Sequence, residues 1–236
     1  MEFTNPAGRI IVPLHLSTVK NARELVEELT AAGVNWFRIG LDLITAGEAR
    51  AVLSMVQELD GHVLWDGKFN DIPDSVAAAT QQVASWGVNL LTAHASAGRE
   101  SLRAAVDNRG SAKVVAVTVL TTMGSLEAQR IFLRSPTVAA SIFAEDAANV
   151  GCEGVICGPR DLPTIAHLRR TLIRVTPLVV PEWGAPNPGT ITPSDAVRGG
   201  ADYLIINRPI LEPPPEVDSR LKAVEKIIDE IATVIP

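Results

Sequence analysis

The stretch VLWDGKFNDIPDS, residues 63–75, begins as an apolar run and then places Asp66, Lys68 and Asp71 within six positions. Strand formers that stop at Asp66 read as a buried strand, Val63 to Asp66, delivering its last residues to a rim. Side chains alternate along a strand, so Asp66 and Lys68, two apart, point the same way. Pro73 stops any strand but suits the first turn of a helix, with Asp71 or Ile72 near the cap. The charges therefore sit on a strand-to-helix connection, where they would shift one another's protonation and strain any added anion. Taken alone, D-x-K-x-x-D is more often a surface ion-pair cluster. Its place at the end of an apolar strand, in a chain that repeats strand and helix throughout, raises the functional reading.

Upstream, Ile10 to Leu16 is an apolar run containing Pro13, and Ser17 caps a helix over VKNARELVEELTAAG that Gly33 closes. Trp36 to Gly40 reads as a strand and Ala46 to Leu59 as a helix. Downstream, a helix from Asp74 to Trp86 stops at Gly87. Strand Leu90 to Ala93 precedes a helix from Arg99 to Asn108, and strand Lys113 to Leu120 precedes a polar loop. Pro136 opens a helix through Val150. Strand Gly154 to Cys157 precedes a helix near Leu162 to Arg170. Strands Leu172 to Val175 and Tyr203 to Ile206 follow, then a Pro-rich link and a helix from Val217 to Val234, apolar at Leu221, Val224, Ile227, Ile228 and Ile231.

Eight strands, each followed by a helix, is the count of a closed (β/α)8 TIM barrel rather than an open doubly wound sheet. Gly33, Gly87, Gly151 and Gly200 each stand just before an even-numbered strand, where a helix ends in a left-handed residue. They mark the barrel's stability face. Chemistry belongs at the opposite face, where the strands end in His15, Arg38, Asp66 with Lys68, His94, Thr118, and Asn207 with Arg208.

At 236 residues the chain fits one barrel domain, residues 1–236. Forty-seven per cent hydrophobic residues with few aromatics suit buried parallel strands. A net charge of −6 and a pI near 5.3, without a long Lys/Arg cluster, argue against a nucleic-acid or anionic-membrane partner. With no apolar run near ~18 residues and no signal-like N-terminus in MEFTNPAGR, a soluble, cytoplasmic protein is expected. Cys152 and Cys157 bracket one strand, too far apart to bridge at about 3.3 Å per residue, and read as reduced core thiols.

Nearly end to end, the chain resembles the orotidine 5'-monophosphate decarboxylase family. DGKFNDIPDSV is similar to that family's D-x-K-x-x-D-I-P-x-T region, LLTAHASAGRE to its fourth strand, VTVLTTM to its fifth and ADYLIINRPI to its phosphate-binding eighth. The resemblance implies decarboxylation of orotidine 5'-monophosphate to UMP without metal or cofactor, in a homodimer with shared sites. It implies that Lys68 stabilises and protonates a C6 carbanion beside Asp66, and that Asp71 reaches into the partner's site, with Ile72 lining that pocket and Ser75 where Thr is usual. It also implies pyrimidine contact from Thr121 to Ser125 and phosphate contact at Arg208.

Three further positions and one loop depart from the family pattern. His15 stands where the first strand ends in aspartate, and Arg38 where the second carries lysine, the two residues that hold the ribose hydroxyls and orient the charged array. Asn207 replaces a glycine before the phosphate arginine, and TPLVVPEWGAPNPG offers no phosphate-binding Gln, while Glu182 near a phosphate would be unfavourable unless it faces away. His15 reads as a ribose or substrate contact, as a hydrogen-bonded rim histidine, or as a metal ligand; His94 reads chiefly as a brace for a neighbouring polar group, and His62 and His167 as solvent-facing. Two other functions stay open: a related enzyme acting on a modified nucleotide or sugar phosphate, and a non-catalytic nucleotide-binding homologue.

Overall fold

The computed structural model describes residues 4–15 and 19–235. The strands are β1 (Ile10–Leu14), β2 (Trp36–Ile39), β3 (His62–Phe69), β4 (Leu90–His94), β5 (Lys113–Val117), β6 (Gly154–Ile156), β7 (Ile173–Thr176) and β8 (Tyr203–Ile205). They follow chain order around a closed barrel, with β1 pairing both β2 and β8 in parallel. The helices are α1 (Val19–Ala31), α2 (Leu41–Thr45), α3 (Ala49–Glu58), α4 (Pro73–Ala84), α5 (Arg99–Asn108), α6 (Ser125–Phe132), α7 (Pro136–Val150), α8 (Pro193–Arg198), α9 (Arg208–Leu211) and α10 (Arg220–Ala232). This is the (β/α)8 barrel expected from the alternation. Among the described residues, no helix is long and apolar enough to cross a membrane.

By compactness the residues fall into two units. The first runs to Gly67 and includes Leu178–Arg198 and the chain from Asp202 onward. Ile10, Ile11, Phe37, Ile39, Val63 and Leu64 are fully buried there, and α1 lies beside α3 and α10. On α10, Ser219 caps by accepting the Lys222 N–H at 3.3 Å. The buried stripe is Ala223, Val224, Ile227 and Ile231, whereas the expected Leu221 is exposed in the first turn.

The second unit is Lys68–Pro177 with Gly199–Ala201. Leu91, Val114, Val115, Ala116, Val155 and Val175 are fully buried, and α5 packs against α4 and α7. Here α7 spans the expected residues: Ser135 caps it, Pro136 opens it and Gly151 ends it at φ 91°. Gly33, Gly87 and Gly200 also hold positive φ, as their positions before β2, β4 and β8 require. Cys152 and Cys157 are buried and form no disulfide, and burial pushes the Cys152 thiol up to about 12.

Several boundaries differ from expectation. β3 does not stop at Asp66 but continues to Phe69. The helix expected over Ala46 to Leu59 is α3, which begins only at Ala49, after Gly47 at φ 79°, and the short α2 precedes the expected range. The polar loop after β5 contains α6, whose one buried residue is Ala128; Leu126 and Ile131 are exposed, so no apolar stripe announces it. After β6 the chain forms only 3-10 turns, Pro159–Asp161 and Ala166–Leu168, in place of a helix to Arg170. His62 is half-buried against Trp36, ring centroids 4.9 Å apart, rather than solvent-facing. The expected cap at Ser17 lies outside the described residues.

Candidate active site

Within the first unit, β1, β2 and β3 deliver His15, Arg38 and Asp66 at or near their C-terminal ends. Asp66 is 2% exposed, and Arg38 donates to it through Nε at 2.5 Å. A buried carboxylate is tolerated only when paired in this way. The partner of His15 is a residue that the sequence reading passed over: Asp42, at the start of α2, lies 2.9 Å from Nδ1. Burial raises the Asp42 carboxyl, but the hydrogen bond and charge of His15, together with backbone N–H donors at Leu43 and Asp42, outweigh this and hold it below the ordinary range. Gly40 permits the crowding, since a Cβ there would stand 2.9 Å from Asp42 Oδ1 and 3.2 Å from Arg38 Nη2. His15, Asn207 and Arg208 line one cleft of about 640 Å³, which Glu24, Glu28 and Arg220 also border. Asn207 and Arg208 are both exposed, and Glu182 is exposed on a 3-10 turn.

Within the second unit, Lys68 has φ 47°, the left-handed region that side-chain-bearing residues rarely occupy. Such a conformation costs on the order of 1–2 kcal/mol and persists where surrounding contacts enforce it. It also interrupts the simple alternation expected between positions 66 and 68. Thr92 on β4, fully buried, accepts the Lys68 N–H through Oγ1 at 2.8 Å. Two residues along β4, His94 Nδ1 lies 2.7 Å from Ser96 Oγ. Burial first, and then the Lys68 charge, hold His94 below the ordinary imidazole range. Thr118 is buried and donates to the Ile156 carbonyl at 2.9 Å, a structural bond beyond the end of β5.

Asp71 and Ile72 follow β3 on the approach to α4, and Ile72 is the N-cap residue. The Asp71 carboxylate accepts the Ile72 N–H at 2.7 Å, and Ser101 Oγ donates to the Asp71 carbonyl at 2.8 Å. Both residues border an open concavity of about 910 Å³ that Arg99, Glu100 and Asp146 also line. Ile72 is 65% exposed, unusual for so apolar a side chain. Ser75, on α4, and Thr121, after β5, are exposed. Among the described residues, no three His, Cys, Asp or Glu side chains gather in a way that would hold a metal ion.

Residues 8–223 match the Orotidine 5'-phosphate decarboxylase / HUMPS family. A relative from Nostoc sp., named orotidine 5'-phosphate decarboxylase, is 33% identical across 96% of this chain and 98% of its own. Another so named, from Geobacter sulfurreducens, is 35% identical across 94% of this chain and 95% of its own. The chain belongs to this family. In fold it also matches the crystal structure of orotidine 5'-phosphate decarboxylase from Lactobacillus acidophilus, with a TM-score of 0.79 at 22% identity over 95% of this chain and 99% of that one. His15 and Arg38, at or near the ends of β1 and β2, both have a carboxylate partner, Asp42 for His15 and Asp66 for Arg38. Asp42, Thr92 and Ser101 were missed because a lone Asp in RIGLD or a lone hydroxyl in a strand or helix carries no motif.

Proposed function

We propose that this decarboxylase-family carbon–carbon lyase converts orotidine 5'-monophosphate to UMP, without metal or cofactor, using Lys68 as the proton donor. The observation that carries the reading is the retention of Asp66, Lys68 and Asp71 in one strand-to-helix segment of a chain related end to end to named decarboxylases. In the proposed step the C6–carboxylate bond breaks, carbon dioxide leaves, and the electron pair stays on C6 in the ring plane, where the π-system does not delocalise it. The Lys68 ammonium stabilises that localised charge and gives its proton to C6, and solvent reprotonates the amine. Asp66, fixed by Arg38, would stand beside the substrate carboxylate and raise the ground state by like-charge repulsion.

Binding energy would come from the far end of the nucleotide. Arg208 offers a forked donor for phosphate, and it shares its cleft with Asn207 and His15. Thr121 is proposed to meet the pyrimidine. Asp71, Ile72 and Ser75 are proposed to complete the site of a second copy of this chain, a role that fits the exposure of Ile72. Mixing Lys68→Ala subunits with Asp71→Asn subunits tests that sharing: hybrids regain activity if sites are shared and stay inactive if each subunit is self-sufficient. We place the protein in the cytoplasm as one barrel domain.

The deciding experiment is the ultraviolet assay for conversion of orotidine 5'-monophosphate to UMP in the presence of EDTA. Turnover by the wild type, lost in Lys68→Ala, supports the proposal. No turnover by folded wild type would favour a modified nucleotide as substrate, a reading that the Arg38–Asp66 and His15–Asp42 pairs make specific, because they alter the side chains expected to meet the sugar.

A further inference from the structure

Lys68 is the one residue of β3 held at positive φ, and its backbone N–H points at a side chain, the buried hydroxyl of Thr92 on β4. A parallel strand normally donates its N–H groups to backbone carbonyls. Thr92 sits within β4 opposite Val115 of β5, with no exposure, so its hydroxyl has little freedom to turn elsewhere. On the same face, two residues on, stands His94, which burial first and then the Lys68 charge hold below the ordinary imidazole range. Ser96, bonded to His94, braces that imidazole from the loop.

We infer that Thr92 is a positioning residue for the reaction: by accepting the Lys68 N–H, it fixes the left-handed backbone from which the Lys68 ammonium is aimed. The inference rests on the reading of Lys68 as proton donor. A left-handed residue without its anchoring bond relaxes toward ordinary strand geometry, which swings the Cα–Cβ bond and moves the end of a long side chain by ångströms. Reactions that depend on a positioned donor lose rate steeply with such displacements. Valine matches threonine in shape but cannot accept the bond, and serine keeps the acceptor.

The test is a comparison of wild type, Thr92→Val and Thr92→Ser by steady-state kinetics and by amide hydrogen exchange. In Thr92→Val, kcat should fall by roughly 10- to 100-fold while KM stays within about twofold. The Lys68 amide should lose protection while the amides of β5 keep theirs, and Thr92→Ser should restore both readouts. Unchanged kcat in Thr92→Val overturns the inference, as does a general loss of protection across β5 with kcat and KM failing together. If the wild type itself does not turn over orotidine 5'-monophosphate, the decarboxylase reading fails. Amide exchange then still decides whether Thr92 holds the Lys68 backbone, and an unaltered Lys68 amide in Thr92→Val refutes the anchoring on its own.

Discussion

Replacing Arg38 with methionine would leave the Asp66 carboxylate buried without its guanidinium. The two side chains retain 18% and 3% of their exposure and meet at 2.5 Å. Those values put the pair outside the class of surface bridges worth about 0–1 kcal/mol. At an effective dielectric constant of about 20, unit charges roughly 4 Å apart attract by about 4 kcal/mol. Removing one partner of a buried pair costs about 3–5 kcal/mol, because the remaining charge is left unsolvated. Arg38→Met should therefore lower the unfolding free energy by about 3–5 kcal/mol in urea denaturation at fixed pH and salt, with the m-value unchanged. Arg38→Lys should lose less, since it keeps the charge and gives up only the forked geometry. Adding Asp66→Asn to Arg38→Met should recover part of the loss, revealing the coupling as a double-mutant cycle. A loss below about 1 kcal/mol for Arg38→Met, with no coupling to Asp66, would refute the reasoning and return the pair to the surface class.

Gly200 stands at φ 95°, and a Cβ there would lie 2.5 Å from Nη1 of Arg174, a side chain with 1% exposure and no room to retreat. Gly200→Ala should cost at least about 1–3 kcal/mol more than Gly47→Ala, where φ is 79° but nothing lies within 4 Å, and equal losses on thermal unfolding would contradict this. Asp42 supplies a pH dependence. Its folded carboxyl lies below the unfolded value of about 3.9, so it adds stability above that pH and loses it as pH falls through the folded value. Because both His15 and Asp42 are nearly half exposed, the contribution should stay within about 1 kcal/mol. His15→Ala should move the Asp42 carboxyl titration upward by NMR, and an unmoved titration would remove His15 as the cause.

The barrel was legible because its signals are local and repeated: valine-rich runs, Pro136 at a helix start, and glycines at the ends of helices. The segments that were misread lack such signals. In α6, Leu126 and Ile131 face solvent, and the turns after β6 bury residues without helical spacing. At the candidate site, the charged triplet stood out by spacing, but its partners did not. Arg38 meets Asp66 from another strand 28 residues away, Asp42 meets His15 across 27, and Thr92 meets Lys68 across 24. Such pairings are products of closure of the fold, and one sequence carries no trace of them. The left-handed backbone at Lys68 was equally hidden, since a lysine in a strand ordinarily implies extended geometry.

The most direct test of the account is the initial rate of orotidine 5'-monophosphate decarboxylation by wild type and Lys68→Ala, purified identically and shown to be equally folded. The expected result is metal-independent turnover by the wild type and a loss of several orders of magnitude in the variant. Comparable rates in the two proteins would contradict the assignment of Lys68 as the group that stabilises and protonates C6.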